Sequence, residues 1–316
     1  MKRIIDFHCD VLYKMLYEGK VDFTDESLLD VTLPRMKQGG VGIQVLALFM
    51  EQSLLTGPPR FSQVLRAIDL YREQVLRQPD VIPILTREDV AAWEQDSSKV
   101  GFILSLEGVD ALEGDLVYLR TAHALGVRFV GLCWNHANWA ADGAQEPRKG
   151  GFTTKGIALV KECERLGITL DVSHLNEHAF WQLLDLTDQP IIASHSNAAS
   201  VMPHVRNLTD EQIKAVIARD GRIGITYVPY FTSDQENVTI DHLLRHIEHI
   251  IDLGGEHHLM LGSDFDGIDQ KIQGLEHAGK HGALLHAIEQ RFGSGLADNI
   301  ARHNAMTFLK QRLPVS

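Results

Sequence analysis

The sequence predicts an α/β protein: a (β/α)8 TIM barrel that forms one domain over residues 1–316 and ends in closing helices. Three observations support this. Eight apolar segments rich in β-branched residues recur along the chain, helical patterns separate them, and glycine follows several of those patterns. Alternation of this kind predicts a parallel sheet, and eight units predict its closure into a barrel. An open doubly wound sheet is the alternative, but no glycine-rich phosphate loop follows the first predicted strand.

The predicted strands are nearly continuous apolar runs, which are typical of parallel strands covered on both faces. They are Arg3–His8, Val41–Phe49, Val100–Glu107, Val127–Trp134, Thr169–His174, Pro190–His195, Arg222–Tyr227 and His258–Asp264. Because these runs are spread over most of the chain, they predict one barrel rather than two smaller units.

The predicted helices carry apolar residues at helical spacing and have recognisable ends. They are Phe61–Arg77, Leu116–Leu125, Thr153–Leu166, Thr209–Arg219, Ile240–Leu253 and one or two closing helices within Leu296–Leu313. Thr209 and Gln212 have the spacing of a capping box. Gly126 and Gly167 stand where glycine caps a helix carboxyl end.

Composition excludes some classes of function. The formal net charge is -12, with 42 acidic and 30 basic residues, which argues against nucleic acid and anionic membrane surfaces as partners. Three cysteines provide no disulfide framework and suit a reducing compartment. The amino-terminal apolar run is too short for a signal peptide, and no run is long enough to span a bilayer. We therefore expect a cytoplasmic protein.

Polar side chains with metal-binding chemistry close five of the predicted strands. They are His8, Glu107, His174, His195 and Asp264. Asp10 follows His8 by two residues, a spacing at which two residues of one strand point to the same side while Cys9 between them points to the other. The carboxyl ends of barrel strands meet on one face, where barrel active sites lie. Each residue alone has a structural alternative, such as a backbone-bonded histidine or a helix-capping carboxylate. Two consecutive strands that both end in Ser-His favour metal ligands, and this donor set suits zinc, manganese, cobalt or iron.

Glu107 has two carboxylate oxygens and can bridge two cations. Two metal ions about 3.5–4 Å apart that share a carboxylate form a hydrolytic centre. A single ion would leave Glu107 without a strong role. Asp264, at the end of the last predicted strand, could take a proton from a bound water and return it to a leaving amine.

Seven stretches, in family order, resemble the membrane (renal) dipeptidase family of the amidohydrolase superfamily. They are Asp-Phe-His-Cys-Asp (6–10), Ser-Leu-Glu-Gly (105–108), Asn-His-Ala-Asn-Trp-Ala-Ala-Asp-Gly (135–143), Asp-Val-Ser-His (171–174), Ala-Ser-His-Ser-Asn (193–197), Arg-Asn-Leu-Thr-Asp-Glu-Gln (206–212) and Gly-Ser-Asp-Phe-Asp-Gly (262–267). Each stretch alone is a weak signal, but seven in order cover nearly the whole chain and are specific.

The resemblance implies two Zn²⁺ ions per chain. His8 and Asp10 would hold one ion, His174 and His195 the other, and Glu107 would bridge them. Many relatives in the wider superfamily bridge with a carboxylated lysine on the fourth strand, and the run Val127–Trp134 contains no lysine. This agrees with the dipeptidase pattern.

The resemblance also implies the substrate and the remaining roles. Asp264 would shuttle the proton, His136 would bind the substrate and stabilise the developing oxyanion, and Arg206 would bind the substrate's terminal carboxylate. The expected activity is hydrolysis of dipeptides, including those with a D residue at the carboxyl end, by a hydroxide that bridges the metals. A homodimer is expected. A deaminase or lactonase of the same superfamily, or a barrel that binds metal without catalysis, remain as alternatives.

Overall fold

Eight parallel strands close into a barrel in the computed structural model of the protein, which describes residues 3–18, 21–51, 57–96 and 98–315. The strands of the sheet are β1 (Ile4–Asp6), β2 (Val41–Phe49), β3 (Val81–Pro83), β4 (Val100–Glu107), β5 (Val127–Gly131), β6 (Thr169–Asp171), β7 (Ile192–Ala193), β8 (Arg222–Ile225) and β9 (Leu259–Leu261). β2 pairs directly with β4, and β1 closes the ring against β9. The predicted barrel is therefore confirmed.

β3 lies outside the ring and was not predicted from the sequence. It pairs with the first residues of β4, from Val100 to Phe102, whereas β5 pairs with the later residues from Leu104. β3 is only Val81–Pro83, and its residues are half-buried. A segment this short that contains proline has too little pattern to predict a strand.

Six predicted strands are wrong at their carboxyl ends: β1 and β5 to β9 stop two or three residues early. The cause is visible at two of them. Asp171 Oδ1 accepts the backbone N–H groups of Ser173 and Ser194, each at 3.0 Å. Asp6 Oδ1 accepts the N–H of Ser263 at 2.9 Å. Because side-chain carboxylates take these N–H groups, the strand ladder ends and the metal-binding residues lie in the loops just beyond it.

Helices surround the barrel. They are α1 (Val11–Tyr17), α2 (Leu33–Gly39), α3 (Phe61–Leu70), α4 (Arg87–Gln95), α5 (Leu116–Ala124), α6 (Thr154–Leu166), α7 (Glu177–Leu186), α8 (Asp210–Ala218), α9 (Pro229–Thr232), α10 (Ile240–Asp252), α11 (His281–Phe292), α12 (Ser294–Asp298) and α13 (Asn304–Arg312). The predicted helix Phe61–Arg77 becomes α3 followed by a π-helical turn, Tyr71–Val75. α1, α2, α4, α7, α9 and α11 were not predicted.

The predicted helix caps are present. Thr209 Oγ1 accepts the N–H of Gln212 at 3.2 Å, and Gln212 Oε1 accepts the N–H of Thr209 at 2.9 Å, which completes the capping box of α8. Gly167 ends α6 with a φ of 69°, a left-handed conformation that glycine adopts without strain. These ends were predictable because caps depend on near neighbours in the sequence.

The interior of the barrel is apolar and one end is closed. Phe7 stacks on Phe129 with ring centroids 5.6 Å apart and meets Phe308 of α13 at 6.5 Å. Asn304, also on α13, is bonded to the start of β8 and of β9. The predicted closing helix thus covers the amino-terminal end of the barrel, so the carboxyl end is the one that can admit a ligand. Within the described ranges, no helix has both the length and the apolar character needed to cross a bilayer.

Candidate metal centre

The five predicted metal ligands come together at the carboxyl end of the barrel. His8 Nε2 lies 3.2 Å from Asp10 Oδ2 and 3.4 Å from Glu107 Oε2. On the other side, Glu107 Oε1 lies 2.9 Å from His174 Nε2 and 3.7 Å from His195 Nε2. Two groups of donor atoms share Glu107, one with His8 and Asp10 and one with His174 and His195, and a third group combines His8, His195 and Asp264. This is the arrangement a bridging carboxylate requires.

His8 and Asp10 approach each other by a different route from the one predicted. The sequence argument placed both on one strand, but β1 ends at Asp6, and Asp10 occupies the cap position before α1. Cys9 forms an isolated bridge with Phe265 and is buried in the apolar core, so it faces away from the donors as expected. The junction between strand and helix therefore brings the two side chains together.

Two residues of the site have strained backbone. His174 has a φ of 72° and Asp264 a φ of 66°. L-residues enter this left-handed region at an energetic cost, and such residues concentrate at functional sites where the surrounding structure holds them. Both side chains lie among the donor atoms, with His174 Nε2 2.9 Å from Glu107 Oε1 and Asp264 Oδ1 3.6 Å from His8 Nε2.

Hydrogen bonds fix the tautomers of His174 and His195. His174 Nδ1 lies 2.8 Å from Asn135 Oδ1, and an amide oxygen can only accept, so Nδ1 carries the hydrogen. His195 Nδ1 lies 2.8 Å from Ser194 Oγ, whose hydroxyl hydrogen is donated to Asp171 in a short hydrogen bond. The serine oxygen must then accept from Nδ1. Both imidazoles therefore present a lone pair at Nε2 toward Glu107.

The two Nε2 atoms lie 2.9 Å apart. Two lone pairs cannot bond to each other at that distance, so the pair is a strong attractor for a cation. Burial, together with the positive charges of Arg206 and His8, lowers the pKa of His174 well below its usual value. Burial and the neighbouring cations lower the pKa of His195 in the same direction. Neutral imidazoles are the form that binds metal ions.

The second donor set is rich in negative charge. Burial raises the pKa of Asp10 to about 6, and the Glu107 carboxylate adds to the effect. Burial also raises the pKa of Asp264 well above its usual range. For His8, burial opposes protonation, but Glu107 and Asp10 outweigh it and raise the pKa. The buried Asp10 Oδ1 has no hydrogen-bond partner within the described chain. The donors present here fit a divalent cation.

The predicted proton carrier, Asp264, lies with Oδ1 3.6 Å from His8 Nε2. Asp266 anchors the loop that contains Asp264. Its carboxylate accepts the backbone N–H groups of Asp30 at 2.7 Å and Val31 at 2.9 Å. Gly267 must be glycine, because an added Cβ would lie 2.3 Å from Asp10 Oδ2 and 2.7 Å from Asp264 Oδ1.

Arg206 is brought to the site and His136 is not. Arg206 is buried, with Nη2 3.1 Å from His195 Nε2, and its Nε has no hydrogen-bond partner among the described residues. The imidazole of His136 is exposed, in the loop after β5. Within the described part of the chain, no hydrogen bond or ion pair connects that imidazole to the donor atoms. Without the family resemblance, the residues around Arg206 would indicate only a solvated loop arginine.

Sequence reasoning missed the residues behind the ligands. Asn135, Asp171 and Ser194 orient the two imidazoles, while Asp6 accepts both the N–H and the hydroxyl of Ser263, next to Asp264. A signal was available: serine precedes both His195 and Asp264, and each serine bonds an aspartate at the end of a neighbouring strand. That pairing becomes evident only once the strands are placed side by side.

A closed parallel barrel with histidine and carboxylate donors at its carboxyl end defines a metal-dependent hydrolase. The chain belongs to the membrane dipeptidase family (peptidase family M19), whose family model matches residues 1–313. It is similar to the dipeptidase aclJ of Aspergillus oryzae, with 30% identity over 285 residues that cover 86% of this chain and 68% of that protein. The chain is therefore a metallodipeptidase.

Two solved structures share the fold along their whole length. One is the dipeptidase AC, a metallopeptidase, with a TM-score of 0.90, 28% identity and 99% of each chain covered. The other is a metallopeptidase from Rhodobacter sphaeroides, solved with a phosphinate mimic of the dipeptide L-Ala-D-Ala. Its TM-score is 0.88, with 28% identity and 99% of each chain covered.

Proposed function

We propose that this protein is a zinc-dependent dipeptidase that holds two ions, one between His8, Asp10 and Glu107 and one between Glu107, His174 and His195. The observation that carries the proposal is Glu107, whose two oxygens face two separate donor sets. Nitrogen and oxygen donors in these numbers suit Zn²⁺. When bound, the ions would supply Lewis acidity and lower the pKa of water to near neutrality.

The chain's own residues bind the substrate and move the proton. Arg206 is a buried cation whose planar guanidinium matches a carboxylate, so it binds the free carboxyl terminus of the dipeptide. This limits substrates to those that end one residue past the scissile bond. Asp264 accepts the proton of the attacking water and delivers it to the leaving amine, and its carboxyl lies close to the donor set of His8.

His136 is proposed to stabilise the oxyanion and to contact the substrate. The imidazole is exposed in the loop after β5, and we propose that this loop moves inward when the substrate binds. Hydrogen bonds of this kind are often long in ligand-free enzymes and tighten in the reacting complex.

We also propose that the protein hydrolyses dipeptides with a D residue at the carboxyl end. The Rhodobacter sphaeroides enzyme, which shares 28% of its sequence with this chain, was solved with a mimic of L-Ala-D-Ala. We extend that stereochemistry to this chain because the two folds superpose along their whole length. We also propose that residues 1–316 form a single domain, that the protein is cytoplasmic and that it forms a homodimer.

The test uses the purified protein, with its metal content measured, on a panel of L-L dipeptides, L-D dipeptides, dipeptide amides, N-acyl amino acids and lactones. The expected result is two zinc ions per chain and hydrolysis of dipeptides with a free carboxylate. Amides should react slowly with the protein, and Arg206→Ala should remove the preference for the carboxylate. Faster hydrolysis of lactones than of any dipeptide, or a single tightly bound ion, would overturn the proposal.

A further inference from the structure

A row of aromatic side chains runs from the surface to the metal centre. Tyr13 on α1 lies 5.3 Å from Phe49, and Phe49 lies 5.1 Å from Trp134, measured between ring centroids. Trp134 lies 6.0 Å from the ring of His174. Tyr13, Phe49 and Trp134, the aromatic wall, are each only partly buried. The catalytic proposal gives them no role, although large rings that retain exposed surface beside a reaction centre are available to a ligand.

The wall faces the same space as the metal ligands. Phe49 is the last residue of β2 and stands in register with Glu107, the last residue of β4. Residues in register on neighbouring parallel strands lie on the same face of the sheet. Since Glu107 points toward the metal donors, Phe49 points into the mouth of the barrel too.

Phe49, the middle residue of the wall, lies opposite the proposed carboxylate-binding residue. In the ring β1, β2, β4, β5, β6, β7, β8, β9, the strands β2 and β7 are half a circuit apart. Phe49 ends β2, whereas Arg206 follows β7 and contacts His195. A dipeptide bound by its carboxylate at Arg206, with its scissile carbonyl over the metals, therefore extends its amino-terminal residue toward β2 and the wall.

The charges on the two sides match this orientation. Glu51, next to the wall, is a carboxylate that the proposed metal sites do not use, and it accepts a hydrogen bond from the Tyr13 hydroxyl at 3.3 Å. The Arg206 guanidinium lies on the far side. A zwitterionic dipeptide has an ammonium group at one end and a carboxylate at the other, so it is attracted with its amino-terminal end toward the wall.

We propose that Tyr13, Phe49 and Trp134 form the pocket for the amino-terminal side chain of the dipeptide and that they select large apolar and aromatic residues there. The proposal rests on the dipeptidase function proposed above and names its substrate class. Aromatic rings in offset or tilted contact add attraction beyond the burial of apolar area. A glycine at that position would leave the wall without a partner.

The experiment compares kcat/KM for Phe-Ala and Gly-Ala with the zinc-loaded protein. Phe-Ala is expected to be preferred by at least about tenfold, the scale on which apolar pockets discriminate. Phe49→Ala and Trp134→Ala should each lower the ratio of the two kcat/KM values toward one, and Trp134→Phe should keep most of it. Tyr118→Ala is the matched control, because Tyr118 stacks on Phe61 at 4.4 Å away from the metals, and it should leave the ratio unchanged.

The possible failures are distinguishable. If no dipeptide is hydrolysed at all, the dipeptidase function fails and this inference fails with it. If Gly-Ala is hydrolysed as fast as Phe-Ala, or if the ratio survives both alanine variants with their metal content intact, only the aromatic pocket is overturned. Zinc content measured on every variant separates loss of the pocket from loss of the folded site.

Discussion

The two donor sets on either side of Glu107 are built by different physical means. On the β6–β7 side, His174 and His195 are neutral and buried, and Asn135 and Ser194 fix their tautomers. On the β1–β9 side, His8 lies among carboxylates, and burial, with the added repulsion of Glu107, raises the pKa of Asp10 to about 6. The first set is preorganised by hydrogen bonds, whereas the second attracts a cation by unbalanced negative charge.

The contrast indicates which change would disturb metal binding or stability on each side. A preorganised site of neutral donors depends on the groups that orient them. A site made of crowded carboxylates is costly to fold without its cation, because burying like charges together is unfavourable. The following variants separate the two behaviours.

The largest effect is expected at the residue both sides share. Glu107→Ala removes a donor from each set and should lower kcat/KM by at least about 10³-fold, since neither ion keeps its full ligand set. Metal analysis should find fewer than two ions per chain. If this variant kept two ions and near wild-type activity, the two sides would not be joined through Glu107.

Asp264→Asn should separate chemistry from metal binding on the carboxylate side. It removes the proton acceptor but keeps the size of the side chain, so kcat should fall by about 10²–10⁴-fold. Zinc content should stay at the wild-type value, because no proposed metal site depends on this carboxylate. A variant that retained most of its turnover would remove Asp264 from the role of proton carrier.

The metal-free protein should show the cost of the crowded carboxylates as a dependence of stability on pH. The pKa of Asp10 is raised in the folded state. Its contribution to the free energy of unfolding is therefore fully present below the pKa that Asp10 has in the unfolded chain, and it is lost as the pH rises toward about 6. The Asp10→Asn variant lacks this loss. Above pH 6, the metal-free variant should gain up to about 3 kcal/mol in free energy of unfolding relative to the wild type.

Denaturant titrations of both metal-free proteins between pH 4 and pH 7 measure that difference. If the difference in free energy of unfolding between the wild type and Asp10→Asn did not grow with pH, the pKa of Asp10 would not be raised in the folded protein. His174 and His195 should make stability depend on pH in the opposite direction. Because their pKa is lowered in the folded state, the protein loses stability as the pH falls below the unfolded pKa of histidine.

The smallest effect is expected behind the imidazole side. Ser194→Ala removes the hydroxyl that accepts from His195 Nδ1 and should weaken zinc binding by about 10–100-fold, as measured by competition with a chelator. Ser196→Ala is the control, because the Ser196 hydroxyl bonds the hydroxyl of Ser173 at 3.4 Å and, among the described residues, makes no hydrogen bond to a metal-binding side chain. Equal affinity in the two variants would mean that Ser194 does not orient His195.

Much of the fold was predictable because its signals are local. The apolar runs located all eight barrel strands, and Thr209 with Gln212 marked the start of α8. Six strands end earlier than predicted, and at two of them the reason is non-local: Asp6 and Asp171 take backbone N–H groups from neighbouring strands, 257 and 23 residues away. A short window of sequence does not contain both members of either pair.

The sequence by itself determined the barrel, the order of the donor residues and, through its seven motifs, the family of metallodipeptidases. The spacing of apolar residues and the identity of ligand-type side chains are properties of the chain before it folds. Only the tertiary structure decided which nitrogen of His195 carries the hydrogen, that Arg206 is buried against it and that Phe49 stands opposite. These depend on contacts between strands that closure of the barrel brings together.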